Sequence, residues 1–208
     1  MTAILKVDTI QDTSGNNIIN ESSDTITIGA SGDTITIPSG ATISNSGTAT
    51  GFGITEVDQF RLTADLTNPG AADITANLER VDDATFSKMG TGMSESSGIY
   101  TFPSTGLYRI QVIGHFYIPS GNDGACVVNT NVSSNSGGAY DTVASAIAGS
   151  TAGGQLYGTR PSECFVNVTN ASTFRVKFST SSMAAAILVG ATNENQTSFS
   201  FIRLGDSQ

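Results

Sequence analysis

The chain has 208 residues, with 9 Lys+Arg against 18 Asp+Glu and a formal net charge of −9. So few cations give no counter-charge for a phosphate backbone, which excludes nucleic-acid binding through a basic patch. The longest apolar stretch, Met183 to Ala191, is 9 residues, well short of the roughly 18–20 that a spanning helix needs, so no membrane insertion is expected. Gly (23), Ser (26), Thr (27) and Asn (14) make up more than two-fifths of the chain. This is the composition of turns and polar strands, and the low charge argues against disorder.

The N-terminus, MTAILKVDTIQD, shows no secretory signal pattern. Residues 24 to 47 then form a short repeat: DTITIGASG, DTITIPSG and ATISNSG. Period-two alternation sets Ile26 and Ile28 on one face, repeats it with Ile35 and Ile37, and begins it again at Ile43. Gly29, Gly32, Gly40 and Gly47 supply turns, and Pro38 stops the second unit. Such short strands cannot bury five isoleucines alone, and stacked coils need neighbours. Residues 1–54 therefore read as an intertwined β shaft, three chains closing each layer, whose core is Ile26, Ile28, Ile35, Ile37 and Ile43. A flexible arm that orders on docking is the competing reading.

From residue 55 to 208 the pattern is globular. Strand-like runs are expected at 59–66, 74–86, 98–102, 106–118, 125–133, 140–148, 155–157, 164–168, 173–179, 185–190 and 198–204, separated by Gly/Ser/Asn turns. Short strands at near-regular spacing indicate an all-β sandwich or jelly roll. The run 140–148 is the one place where a short helix could stand instead. Apolar weight falls on Phe60, Phe86, Tyr100, Phe102, Tyr108, Phe116, Phe165, Phe174, Phe178, Phe199 and Phe201.

Little in the chain suggests catalysis. The single histidine, His115, lies on the outward side of the 106–118 strand with Arg109, Gln111 and Ile113. No G-x-S-x-G, H-E-x-x-H, P-loop or Cys-x-x-Cys motif occurs. Asp82 and Asp83 are the one carboxylate pair a glycosidase reading could use, with Asp123 and Glu163 as isolated acids. If both aspartates sit in a strand they point to opposite faces, and without Trp there is no strong stacking platform. No cofactor is expected. A Ca²⁺ site could arise only where carboxylates of several chains meet, since no EF-hand loop is present and GNDG at 121–124 reads as a turn. Cys126 and Cys164 read as free thiols in apolar surroundings, with a disulfide as the alternative.

The segment GIYTFPSTGLYRIQVIGHFYI, residues 98 to 118, is the most specific stretch. It resembles the motif of the complement/tumour-necrosis-factor jelly-roll superfamily, with Tyr100, Phe102, Gly106, Tyr108 and Ile110 on matching positions. TSFSFIRLGD supplies the aromatic closing strand of that family through Phe199 and Phe201, and DQFRL its early aromatic strand. The resemblance implies a jelly-roll head over 55–208 and a homotrimer. The opening ILKVDTIQDTSGN, the Thr/Ile/Gly repeats and GTGMSESSGIYTFPSTG also resemble structural proteins of tailed bacteriophages. That second likeness implies a non-enzymatic virion protein, attached through its N-terminal segment to another virion component. Its head would adhere to a host cell-surface glycan or protein. The alternatives are a capsid or tail decoration protein that touches only virion components, and a bacterial surface module. Contact residues are expected on distal loops: Asn122 and Asp123, Asn135 and Ser136, and Asn193, Glu194 and Asn195.

Overall fold

In a computed structural model, residues 8–15, 17–23, 25–44, 53–119, 123–150 and 155–208 are described. Contacts divide the chain into two units, Met1–Ala49 and Thr50–Gln208.

The first unit holds one antiparallel sheet of β1 (Thr9–Gln11), β2 (Asn17–Ser22) and β3 (Thr25–Ile28), in that order. Of the three Thr/Ile units, only the first forms a strand. Residues 33–38 and 41–44 carry the same alternation but have no strand partner among the described residues. Within one chain alternation alone does not make a ladder, because a strand's N–H and C=O groups must be met by a second segment. β3 obtains one because Ser23 (φ 51°) reverses the chain onto β2, and the Gly29 N–H extends the ladder to the Ile18 carbonyl at 2.8 Å. Ile26 (68% exposed), Ile28, Ile35, Ile37 and Ile43 (64%) all stay open to solvent within one chain.

The second unit is a two-sheet β-sandwich. Its strands are β4 (Glu56–Leu62), β5 (Leu66–Thr67), β6 (Gly70–Asp73), β7 (Leu78–Arg80), β8 (Ser94–Ser96), β9 (Ile99–Thr101), β10 (Gly106–Ile118), β11 (Cys126–Ser133), β12 (Asp141–Ala148), β13 (Leu156–Val168), β14 (Arg175–Met183), β15 (Ile187–Leu188) and β16 (Ser198–Gly205). β10 is the spine of the first sheet. It pairs with β13 along its whole length on one edge, and with β16 and then β15 on the other. β16 continues to β4 and β7, and β15 to β5. The second sheet runs β12-β11-β14-β9-β8, with β6 also pairing β14.

The aromatic residues of residues 98–110 and 197–204 meet between the sheets. Tyr100 lies against Phe60 (5.0 Å, edge-on), Phe178 (5.5 Å) and Phe201 (5.1 Å), and Phe178 stacks on Phe199 at 4.2 Å. Burying several such rings at 150–250 Å² each supplies much of the driving force for a core otherwise built of small residues. Phe102 packs on Tyr108 at 4.7 Å across the tight turn, whose Ser104 Oγ and carbonyl both meet the Tyr108 hydroxyl.

Two runs differ from the sequence reading, while the expected strand at 140–148 is present as β12. The expected run 74–86 contains only β7 as strand beyond Asp73, because Asn77 (φ 58°) turns the chain before Leu78 and residues 81–83 leave the sheet. The two short runs at 155–157 and 164–168 are one 13-residue strand, β13. Pro161 interrupts the apolar pattern but is tolerated because β13 pairs with β10 alone and its other side is an edge.

Candidate interaction surface

β10 alternates strictly, with even-numbered residues from Gly106 to Ile118 buried and odd-numbered ones partly exposed. The odd set is matched across the ladder by the outward residues of β13: Arg109 with Phe165, Gln111 with Glu163, Ile113 with Pro161, His115 with Thr159, and Tyr117 with Tyr157. Cross-strand neighbours on one face sit about 5 Å apart, so these side chains form one contiguous strip. Tyr117 and Tyr157 stack at 4.3 Å, and the His115 ring stands edge-on to Tyr157 at 6.3 Å while its Nδ1 lies 3.3 Å from the Thr159 hydroxyl. Arg109 pairs with Glu163 through its guanidinium. Tyr157 is 64% exposed and Phe165 60%.

Phe165 is a correction to the expected core. Cys164 and Phe165 are adjacent in a strand, so period two lets only one face inward; Cys164, Val166 and Val168 take the inner side and Phe165 the outer. The missed signal was the parity of 163–168, which places Phe165 with Glu163 and Asn167. Both cysteines are free thiols; Cys126 is buried and Cys164 half-buried.

The loop residues expected to meet on one side do not. Asn122 lies outside the described residues. Asp123 follows β10 and is buried; its carboxylate accepts the Ala185 N–H at 2.7 Å and its carbonyl the Ser150 N–H. This corrects its placement as a contact residue: it is a brace between two loops. Asn135 and Ser136 follow β11, which runs back from that end, and Ser133 pairs with Arg175, itself opposite Thr101 next to the turn that starts β10. The Asn135 loop and the Asp123 loop therefore sit at opposite ends of the sandwich. Asn135 is itself tied down, its Oδ1 accepting from Ser133 Oγ and the Ala139 N–H. Asn193, Glu194 and Asn195 are exposed between β15 and β16, with Asn195 donating to Gln59 Oε1 at 2.9 Å and Gln196 donating to Glu194.

The paired carboxylates are also rearranged. Because residues 81–83 leave the sheet, Asp82 and Asp83 turn to the same target, the Arg61 guanidinium (2.6 and 2.8 Å), which Glu79 meets as well at 2.6 Å. Opposite orientation, expected for strand neighbours, is thus overturned, and all three carboxylates are engaged by one cation. Burial opposes the charge of Arg61, and Glu79 and Asp83 outweigh that effect and raise its pKa. Among the described residues no group of three or more His, Cys, Asp or Glu is arranged to hold a metal ion.

The fold is that of a tumour-necrosis-factor-like jelly roll, all-β, with the motif strands β9, β10 and β16 in its centre. Solved structures that resemble it include murine APRIL at pH 5.0 (TM-score 0.50, 14% identity, covering 72% of this chain and 98% of that one) and Eiger TNF from S. frugiperda (TM-score 0.54, 11% identity, covering 75% and 96%). At such identities the likeness speaks for the fold. No family model and no curated protein matches the chain.

Proposed function

We propose that the protein is a non-enzymatic, homotrimeric fibre or spike of a bacteriophage virion. In this reading its jelly-roll head adheres to a host surface, and residues 1–54 join the chains and attach them to another virion protein. The observation that carries self-association is the outward strip on β10 and β13. Exposed Tyr157 and Phe165 stand toward opposite ends of this strip, with Ile113 and Pro161 midway and the pairs His115–Thr159 and Gln111–Glu163 between them, an aromatic-bearing mixed face of the kind found at interfaces. The exposed isoleucines of the N-terminal unit support the same reading, since strands from further copies would cover them. The engagement of Glu79, Asp82 and Asp83 by Arg61 removes the one acid pair that hydrolysis could have used. Adhesion would then draw on avidity from three heads rather than on one strong site. Loop residues Asn135, Ser136, Asn193, Glu194 and Asn195 remain the proposed contacts.

Light scattering of the full chain tests the assembly: a mass three times 21.4 kDa is expected, and a monomer overturns it. Electron micrographs of labelled virions test the role. Label at a fibre tip supports adhesion, and label on the capsid lattice or tail collar replaces it with a decoration protein.

A further inference from the structure

On the outer face of the second sheet, one edge of β14 is covered in two instalments. β9 pairs with residues 175–177 and β6 with 179–183. Where the two meet, the chain at Ile74 and Thr75 passes directly under Gly98 (φ 80°), so close that a Cβ there would lie 2.1 Å from the Ile74 carbonyl oxygen. Above this junction opens a cleft of about 260 Å³, walled on its far side by Ser136 and Gly137 of the β11–β12 loop. That volume lies just under the roughly 300–1,000 Å³ of drug-sized pockets, so it suits a single small ring.

The chemistry of the walls is specific. Two of the chain's nine cations, Arg175 and Lys177, line the cleft against one lining carboxylate, Asp73. Lys177 is paired to Asp73 at 2.7 Å and sits 4.5 Å over the Tyr140 ring. Arg175 has no carboxylate within ion-pair distance among the described residues. Its guanidinium is held by the carbonyls of Phe174 (2.7 Å) and Ser172 (2.9 Å), which fix its position without cancelling its charge. The Tyr140 hydroxyl is buried and has no hydrogen-bond partner among the described residues. Ile99 offers an exposed apolar surface beside these groups. A net positive cleft in a chain of charge −9 selects an anion. The Ser136 hydroxyl and the acceptor Asp73, both exposed, select a polyhydroxylated one, and Ile99 fits the C–H face of a ring.

We propose that this cleft binds a carboxylate-bearing sugar residue, its carboxylate against Arg175 and Lys177 and its hydroxyls on Asp73 and Ser136. This names the ligand class for the surface-binding role above and rests on that reading.

The test is a saturation-transfer NMR titration of the full chain with sodium D-glucuronate, D-glucose, acetate and inorganic phosphate. Glucuronate is expected to bind saturably and at least tenfold more tightly than the other three. R175Q should weaken it at least tenfold while the chain still melts as a folded protein, whereas K88Q, which removes a cation elsewhere, should leave it unchanged. Equal binding of glucose, equal binding of acetate or phosphate, an effect of K88Q as large as that of R175Q, or no saturable binding overturns the proposal. Retention of the full chain on polygalacturonate-coated and dextran-coated surfaces separates the two readings. Retention on both that R175Q leaves intact overturns the cleft alone. Retention on neither, with the glucuronate titration intact, overturns the adhesion reading alone.

Discussion

Arg61 is 1% exposed, yet its three partners lie at the surface, Asp82 as much as 75% open. Such a network should respond unequally to its parts. Arg61→Met removes the only cation facing three carboxylates, which can still turn toward water. A loss of roughly 2–3 kcal/mol is expected in urea unfolding, below the 3–5 typical when the orphaned partner stays buried. Asp82→Asn should lose under about 1 kcal/mol, as exposed ion pairs do. Equal effects would mean that Asp82, not burial of the guanidinium, organises the cluster.

The thiols carry a pH prediction at the same scale. Burial pushes Cys126 and Cys164 up to about 11, with the charges of Asp123 and of Glu163 adding to it. A thiol ionises near 8.5 in an unfolded chain. The folded state then holds protons that the unfolded state has released, so this contribution is complete below about 8.5 and is lost as pH rises through about 11. Unfolding free energy should fall across that window in denaturant titrations, and less steeply in a C126A/C164A double variant. A slope that the double variant leaves unchanged assigns the decline to other groups.

At the scale of elements, the junction of β6 and β9 depends on one residue. Gly98 has φ 80° and passes within touching distance of the Ile74 carbonyl, so Gly98→Ala meets both a disfavoured backbone and a clash. About 2 kcal/mol or more should be lost in thermal or urea unfolding, well beyond the 0.4–1 that a compatible Gly→Ala substitution usually gains. The motif around Gly98 was legible beforehand because its aromatic alternation and Pro/Gly turn are local signals. The continuity of β13 was not legible. Pro161 ends most strands, and only the absence of a second neighbour on that edge makes it harmless. Likewise, residues 81–83 look like the end of a strand, and their departure from the sheet, which brings Asp82 and Asp83 to one guanidinium, is set by contacts with distant Arg61.

For the whole molecule, the outward strip on β10 and β13 makes assembly the testable property. A Tyr157→Glu, Phe165→Glu double variant places like charges on the proposed contact face of every copy. Sedimentation should convert a trimer to monomers, while the head keeps its melting profile in the monomeric form, since both side chains are exposed in one chain. A trimer that survives assigns association to the N-terminal isoleucines instead.

Composition, alternation and turn residues determined that this protein is all-β, that residues 98–118 carry two core strands joined by a tight turn, and that its N-terminal isoleucines have no core of their own. These follow from periodicity and turn chemistry, which act over a few residues. Only the tertiary structure decided that β13 runs unbroken through Pro161. Tertiary packing alone turned Asp123 from a contact into a brace, divided the loops between opposite ends, and gathered Arg175, Lys177, Tyr140 and Ser136 around one cleft. Those outcomes depend on which strands pair and in what register, and register couples residues more than 100 positions apart, such as Lys177 with Asp73 and Arg203 with Glu56.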